Sequence, residues 1–417
     1  MKYSIVTFGC RVNQADSFQI EEQLIGAGGT PSTTQDADLV VVNTCSVTGS
    51  ADQGARQIVR KIARENPRAK IVVTGCYATR EPSEVGDLPG VVQVVPNSRK
   101  DSFADAIGLT TAQRFGTGEG ACGAEIAPGL AGRTAFTLRV QTGCDQLCSY
   151  CIIPSTRGTG RSRPLQEVLS EVDRVRAAGY REIAITGVHL GSYGRDLGDG
   201  SSLLRLLASI DRHSAGVRFR ISSLEPMDCS DQIVELVGLS TCFAPHFHLP
   251  LQHASDAMLL AMRRPYTLAY YRKLVDRIRE QIPHASIGTD TIVGFPGETE
   301  EDFAALESYL SDAPLTHVHV FPYSDRPGTS ASALADKVHG SIVRDRAHRI
   351  RAIGRELNRR FMDSQEGSVR PGLTIEDGSL VVTDNYLKVR IPPGHVRNEW
   401  VNILLENKDG ALVGTAV

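Results

Sequence analysis

The stretch TGCDQLCSYC, residues 142–151, sets Cys144, Cys148 and Cys151 in the spacing C-x3-C-x2-C. A disulfide would use two thiols, and a structural zinc site four ligands. No other His or Cys in this loop supplies a fourth ligand, although a distant histidine such as His189 could. A thioredoxin-like pair of Cys148 and Cys151 would leave Cys144 idle. A 4Fe–4S cube normally takes four thiolates, so three of them leave one iron open to a substrate or cofactor.

Working outward, the stretch follows TAFTLRVQT, the first of six strand-like runs. The others are REIAITGV, VRFRISS, HFHLPLQ, ASIGTDTIVG and THVHVFPY. Helical runs such as QEVLSEVDRVRAAG and LAYYRKLVDRIREQI separate them. In TEEDFAALESYL, the spacing of Thr299 and Asp302 predicts a capping box. The alternation predicts a partial (β/α)6 barrel over 133–341. The cysteine loop would lie at the C-terminal end of its first strand, the face where such barrels carry their sites.

Upstream, YSIVTFGC, ADLVVVNTC and AKIVVTGC alternate with helical stretches, which predicts a parallel α/β domain over 1–110. Cys10, Cys45 and Cys76 each end one of these strands, and parallel strands bring those ends to one edge. The three thiols could therefore converge, or be the buried cysteines common near strands. A glycine-rich linker is expected over 111–132. Downstream, an Arg-rich helix is expected over 342–365 and a small all-β barrel over 366–417. The whole is an α/β chain with an all-β end.

Composition agrees with a globular protein of two or three domains: 417 residues, 41% hydrophobic, 22% charged, net charge −3. No apolar run is long enough to span a bilayer, and MKYSIVTFGC lacks the build of a signal peptide. These features predict a cytoplasmic protein without membrane association, whose nine cysteines stay reduced. The balanced charge does not advertise nucleic-acid binding, but a local basic stripe can suffice.

CDQLCSYC at the mouth of a predicted barrel resembles the radical S-adenosylmethionine superfamily. FGCRVNQADS, NTCSVTGSAD and TGCYATREP resemble the three cysteine motifs of its methylthiotransferases, and MRRPYT and FPYSDRPGTSA match the same family. The resemblance covers nearly the whole chain, ending in a TRAM-like module. It implies two 4Fe–4S clusters, one on Cys144, Cys148 and Cys151 and an auxiliary one on Cys10, Cys45 and Cys76. It also implies S-adenosylmethionine as methyl donor and radical source, its sulfonium being split by an electron from the barrel cluster. Cys122, Cys229 and Cys242 match no motif and read as packing or incidental thiols. No side chain is assigned as a catalytic acid, base or nucleophile.

Around the cofactor, TGVHLGSYG places Gly187 and Gly191 where backbone can approach a ligand, by resemblance the methionine amino group. The alternative is a plain turn. Ser222 and Ser223 would meet ribose hydroxyls, and Gln252, Asp290 and Ile292 stand at later strand ends, Ile292 on an edge that could pack on adenine. Tyr150 would add bulk there.

GCRVNQADS and GVHLGSYGRD look most like the branch that acts on tRNA at N6-threonylcarbamoyladenosine, adding a methylthio group at carbon 2. The alternatives are isopentenyladenosine tRNA, an aspartate of a ribosomal protein, and a non-catalytic iron–sulfur RNA-binding or electron-transfer protein. The expected partners are tRNA, an electron donor and a sulfur source; the resemblance identifies neither of the last two. Arg157, Arg161 and Arg163 are candidate phosphate contacts or a solvated basic loop. Arg355, Arg359 and Arg360 of the Arg-rich helix are candidate RNA contacts, with local pairing to acids as the alternative.

Overall fold

The computed structural model describes residues 1–109, 128, 134–213, 216–408 and 411–417. The expected linker, residue 128 apart, and Cys122 lie outside the described residues.

The first sheet is parallel, in the order β2-β1-β3-β4-β5. Its strands are β1 (Lys2–Thr7), β2 (Thr30–Pro31), β3 (Leu39–Thr44), β4 (Lys70–Gly75) and β5 (Val91–Val95). Every residue of β3 is buried, because helices cover both faces of a parallel sheet and leave no wet side. One face packs Val40, Val42 and Val73 on Val59 and Ile62; the other packs Val41 and Val72 on Ile20 and Leu24.

Six parallel strands follow in chain order: β6 (Phe136–Arg139), then β9 (Glu182–Thr186), β10 (Arg218–Ile221), β11 (His246–His248), β12 (Ser286–Val293) and β13 (His317–Pro322). A small hairpin, β7 (Gln141–Thr142) with β8 (Arg161–Ser162), brackets the cysteine loop. The six strands form two ladders, β6-β9-β10 and β11-β12-β13, and one bridge between Phe219 and Phe243 joins the halves. Helices on the outside share one continuous core with the strands. Thr299 and Asp302 form the expected capping box of the helix Glu300–Asp312.

The helix Gly340–Asp363 packs along β13. The chain then closes a barrel of β14 (Val369–Ile375), β15 (Leu380–Thr383), β16 (Lys388–Arg390), β17 (Trp400–Lys408) and β18 (Ala411–Ala416). Its β15–β16 turn is held against the six-stranded unit by buried Arg220, which donates to the carbonyls of Asp384 at 3.0 Å and Thr383 at 3.3 Å. Glu182 balances the Arg220 charge at 3.0 Å. Among the described residues no helix is long and apolar enough to cross a membrane.

Candidate active site

Cys10, Cys45 and Cys76 follow the C-terminal ends of β1, β3 and β4. Gly9 and Gly75 make the approach possible: both have positive φ, and a Cβ on Gly9 would lie 2.8 Å from the Cys45 sulfur. Asn13 tightens the same edge by donating to the carbonyls of Phe8 and Thr44, both at 2.9 Å. Cys76 is buried, with the Asn97 amide 3.6 Å from its sulfur. Burial pushes the Cys45 thiol up to about 11, against a backbone hydrogen bond from Val47; the nearby Cys10 and Cys76 thiols add to the rise.

Cys144, Cys148 and Cys151 lie partly buried in a loop after β7. Ser149 pins the loop, its N–H donating to the Met262 carbonyl at 3.2 Å and its hydroxyl to the Ala261 carbonyl at 2.8 Å. Arg264 donates to the Cys148 sulfur at 3.1 Å and pairs with Glu225. Tyr266, beside it, donates to the Pro250 carbonyl at 2.8 Å. These contacts give Met262, Arg264 and Tyr266 a role that their sequence pattern could not. Burial drives Cys151 up to about 12. Neither triplet would hold three thiolates without a strong cation, so the donor chemistry fits iron.

His189 pairs with Asp228 at 2.8 Å and lies near Cys144. Burial opposes its charge, but these partners raise it to about 9. The contact with Asp228 fixes the His189 ring beside the cysteine loop.

Two adjoining cavities open beside the triplets. The larger, about 690 Å³, is lined by Cys10, Cys45, Gly187, Ser222, Ser223 and Asp290 among others. The smaller, about 180 Å³, is lined by Tyr150, Cys151, Gln252, Asp290 and Ile292. Val47, Thr48, Ile153, Asp290 and Phe321 border both. Tyr150 and Ile292 belong to one apolar cluster with Met258, Met262 and Phe295. Gln252 is buried with φ of 67°, a strained conformation of the kind stored at functional sites. The Ser222 hydroxyl is buried without a protein partner. Asp290 accepts from His248 at 2.9 Å and His319 at 3.2 Å; despite burial, these contacts hold its carboxyl well below the usual range.

Some expected residues are placed differently. A Cβ on Gly191 would meet Asp228 at 2.2 Å, and one on Gly187 would meet Gln141 at 3.0 Å. The two glycines make room for those side chains, and Gly187 also borders the larger cavity. Arg157 is no free phosphate contact: it is buried and bonded to Asn13 and Asp16. Arg161 is exposed, and Arg163 is half-buried, 3.9 Å from Glu167. On the Arg-rich helix, Arg359 is held by Glu356 and Asp363, and Arg360 donates to the Ser311 carbonyl at 2.7 Å. Local acids and carbonyls hold these two, while Arg355 is exposed. Cys229 is buried in the core, and Cys242 packs against that core with Asp211 3.1 Å away.

Two ion clusters that sequence reading missed join the first sheet to the six-stranded unit. Asp16 meets Lys100 at 2.8 Å, Arg139 at 2.5 Å and Arg157 at 3.0 Å. Asp52 meets Arg80 and Arg326, each at 2.6 Å, and Arg326 also donates to the Ser46 carbonyl. Both acids sit within the cysteine motifs, a signal that could have marked them.

Comparison with known proteins agrees with this architecture. Residues 2–96 match the model described as uncharacterized protein family UPF0004, and residues 138–310 match the radical SAM superfamily. A protein of Bacillus subtilis named threonylcarbamoyladenosine tRNA methylthiotransferase MtaB is 35% identical, covering 92% of this chain and 88% of its own length. A Thermotoga maritima protein of the same name is 36% identical over 95% and 91%. A Parafrankia tRNA-2-methylthio-N(6)-dimethylallyladenosine synthase is 34% identical over 85% and 74%. The solved structure of the radical S-adenosylmethionine methyltransferase TsrM from Kitasatospora setae shares the fold, with a TM-score of 0.56 at 15% identity over 79% of this chain and 76% of that one. Sequence, fold and the two cysteine triplets thus lead to one conclusion: this chain belongs to the radical S-adenosylmethionine methylthiotransferase family.

Proposed function

We propose that the protein methylthiolates carbon 2 of N6-threonylcarbamoyladenosine beside the tRNA anticodon, with a 4Fe–4S cluster on each cysteine triplet. The observation that carries this reading is the pair of adjoining cavities, one bordered by Cys10 and Cys45 and the other by Cys151. When bound, the clusters and S-adenosylmethionine supply the radical that removes a hydrogen atom, the sulfur that replaces it and the methyl group.

The chain's own residues bind and orient. Cys144, Cys148 and Cys151 would hold a cluster with three thiolates, which would leave an iron for the methionine end of the cofactor. Tyr150 and Ile292 form an apolar wall for its adenine, and Gln252 and Asp290 stand beside that wall as polar partners. Ser222 and Ser223 face the larger cavity, where a ribose would satisfy the unpartnered Ser222 hydroxyl. A flipped-out base can reach such an enclosed site from a single-stranded loop. Cys10, Cys45 and Cys76 would hold the cluster that supplies the sulfur, and Cys10 and Cys45 border the same space. Similarity to relatives named for threonylcarbamoyladenosine over more than nine-tenths of the chain favours that substrate.

The test offers anaerobically reconstituted enzyme three substrates: threonylcarbamoylated tRNA, isopentenylated tRNA and a ribosomal protein. Mass spectrometry should find a methylthio group on the first. Product on the second or third alone would overturn the substrate assignment. Absence of 5′-deoxyadenosine under reducing conditions would favour a non-catalytic iron–sulfur protein.

A further inference from the structure

Two arginines border the larger cavity, and their surroundings differ. Arg157 is neutralised by Asp16. Arg11 has no carboxylate partner among the described residues; its guanidinium donates to the Tyr386 hydroxyl at 3.0 Å and lies 5.7 Å from that ring. The acid of the cavity, Asp290, is engaged by His248 and His319. Arg11 therefore borders the space with no carboxylate held against it.

Two further observations fall at the same place. Tyr386 reaches the cavity from the C-terminal barrel, in the turn between β15 and β16, with φ of 73°. A bulky residue there is strained, and such strain collects at ligand clamps. His246, whose ring lies 4.6 Å from that of Tyr386, also borders the cavity. It is 3% exposed, yet its Nδ1 has no hydrogen-bond partner. Burial, with Arg220 and Arg11 nearby, drives this imidazole well below its ordinary range, so it stands neutral.

An unpaired guanidinium, a phenol and a neutral imidazole with a free nitrogen suit a small anionic group that carries a hydroxyl. They do not suit an apolar dimethylallyl chain, which would leave the Arg11 charge without a counter-ion and His246 Nδ1 without a partner. We propose that Arg11, Tyr386 and His246 form the subsite for the threonylcarbamoyl group of the target adenosine, with Arg11 binding its carboxylate. The assignment rests on the substrate reading given above. Arg11 offers the planar fork that matches a carboxylate, Tyr386 holds that fork in place, and His246 Nδ1 meets the threonyl hydroxyl.

The test uses two synthetic anticodon stem-loop RNAs. One carries N6-threonylcarbamoyladenosine; in the other a CH2OH group replaces the carboxylate. Binding of both is measured for the reconstituted enzyme, R11Q, R11K and Y386F, at matched iron content because Arg11 adjoins Cys10. The enzyme should prefer the carboxylate RNA by about tenfold, the size of one charge-assisted contact. R11Q should abolish that preference, R11K should restore part of it, and Y386F, remote from the cysteines in sequence, should reduce it. A preference unchanged in both R11Q and Y386F, or an equal loss on both RNAs, would overturn the subsite. Methylthiolation of the carboxylate RNA alongside either result would leave the substrate reading standing. If the enzyme methylthiolates only isopentenylated RNA, the substrate reading and the subsite both fall.

Discussion

Asp16 is fully buried and carries three cations: Lys100 from its own domain, and Arg139 and Arg157 from the neighbouring unit. Burial would raise its pKa, but the charges of Lys100, Arg157 and Arg139 overcome that and hold the carboxyl well below the usual range. Removing one partner of a buried ion pair strands the others, at about 3–5 kcal/mol. Asp16→Ala should therefore lower unfolding stability by about that amount, read from the denaturant midpoint. A loss below about 1 kcal/mol would show that the cluster is not a structural joint. The cysteines were legible because their spacing is local and few chemistries use three thiols. Asp16 was not, because its partners lie 84, 123 and 141 residues away. Arg264 is a similar case: its motif was recognisable, but its contact with Cys148 spans 116 residues.

Elements were more legible than single contacts. The runs YSIVTFGC, ADLVVVNTC and AKIVVTGC became β1, β3 and β4, since continuous β-branched runs leave a buried strand little alternative. β5 escaped notice because Val91–Val95 is short and mostly half-exposed. The Arg-rich segment is a helix as expected, yet its arginines divide by face. Arg346 and Arg349 turn toward Glu298, Glu300 and Glu307 of the neighbouring helix and its entry loop. Arg344, Arg351 and Arg355, spaced seven and four apart, form an exposed stripe without a carboxylate partner among the described residues. The sequence could list the charges but not assign the faces, which depend on what the helix packs against. If this stripe meets tRNA phosphates, Arg344, Arg351 and Arg355 changed together to Gln should weaken tRNA binding. The change should also lower the slope of log affinity against log salt by about 2–3, roughly one unit per phosphate contact. Arg359→Gln, which breaks only exposed local pairs, should change the slope little. An unchanged slope in the triple variant would remove this helix from the RNA interface.

At the scale of the whole molecule, three parts meet around one space. The first sheet brings Cys10 and Cys45, the six-stranded unit brings Cys151, Asp290 and Ser222, and the C-terminal barrel brings Tyr386. The order of these parts was readable because a glycine-rich run separates two strand–helix alternations and a series of short strands follows the last helix. Their mutual docking was not, because it rests on Asp16, Asp52 and Arg220, each of which reads in isolation as an ordinary charged residue. The proposed function implies a division of labour between the two cysteine triplets. The measurement that tests it most directly compares two triple-Ala variants, C10A/C45A/C76A and C144A/C148A/C151A, after anaerobic reconstitution with threonylcarbamoylated tRNA. Iron, 5′-deoxyadenosine and methylthiolated nucleoside are quantified together. Each variant should keep about half the iron of the parent, as one cube of two would. The first should still form 5′-deoxyadenosine but no methylthiolated product, and the second should form neither. Undiminished iron in the first variant, or equal 5′-deoxyadenosine from both, would contradict the account.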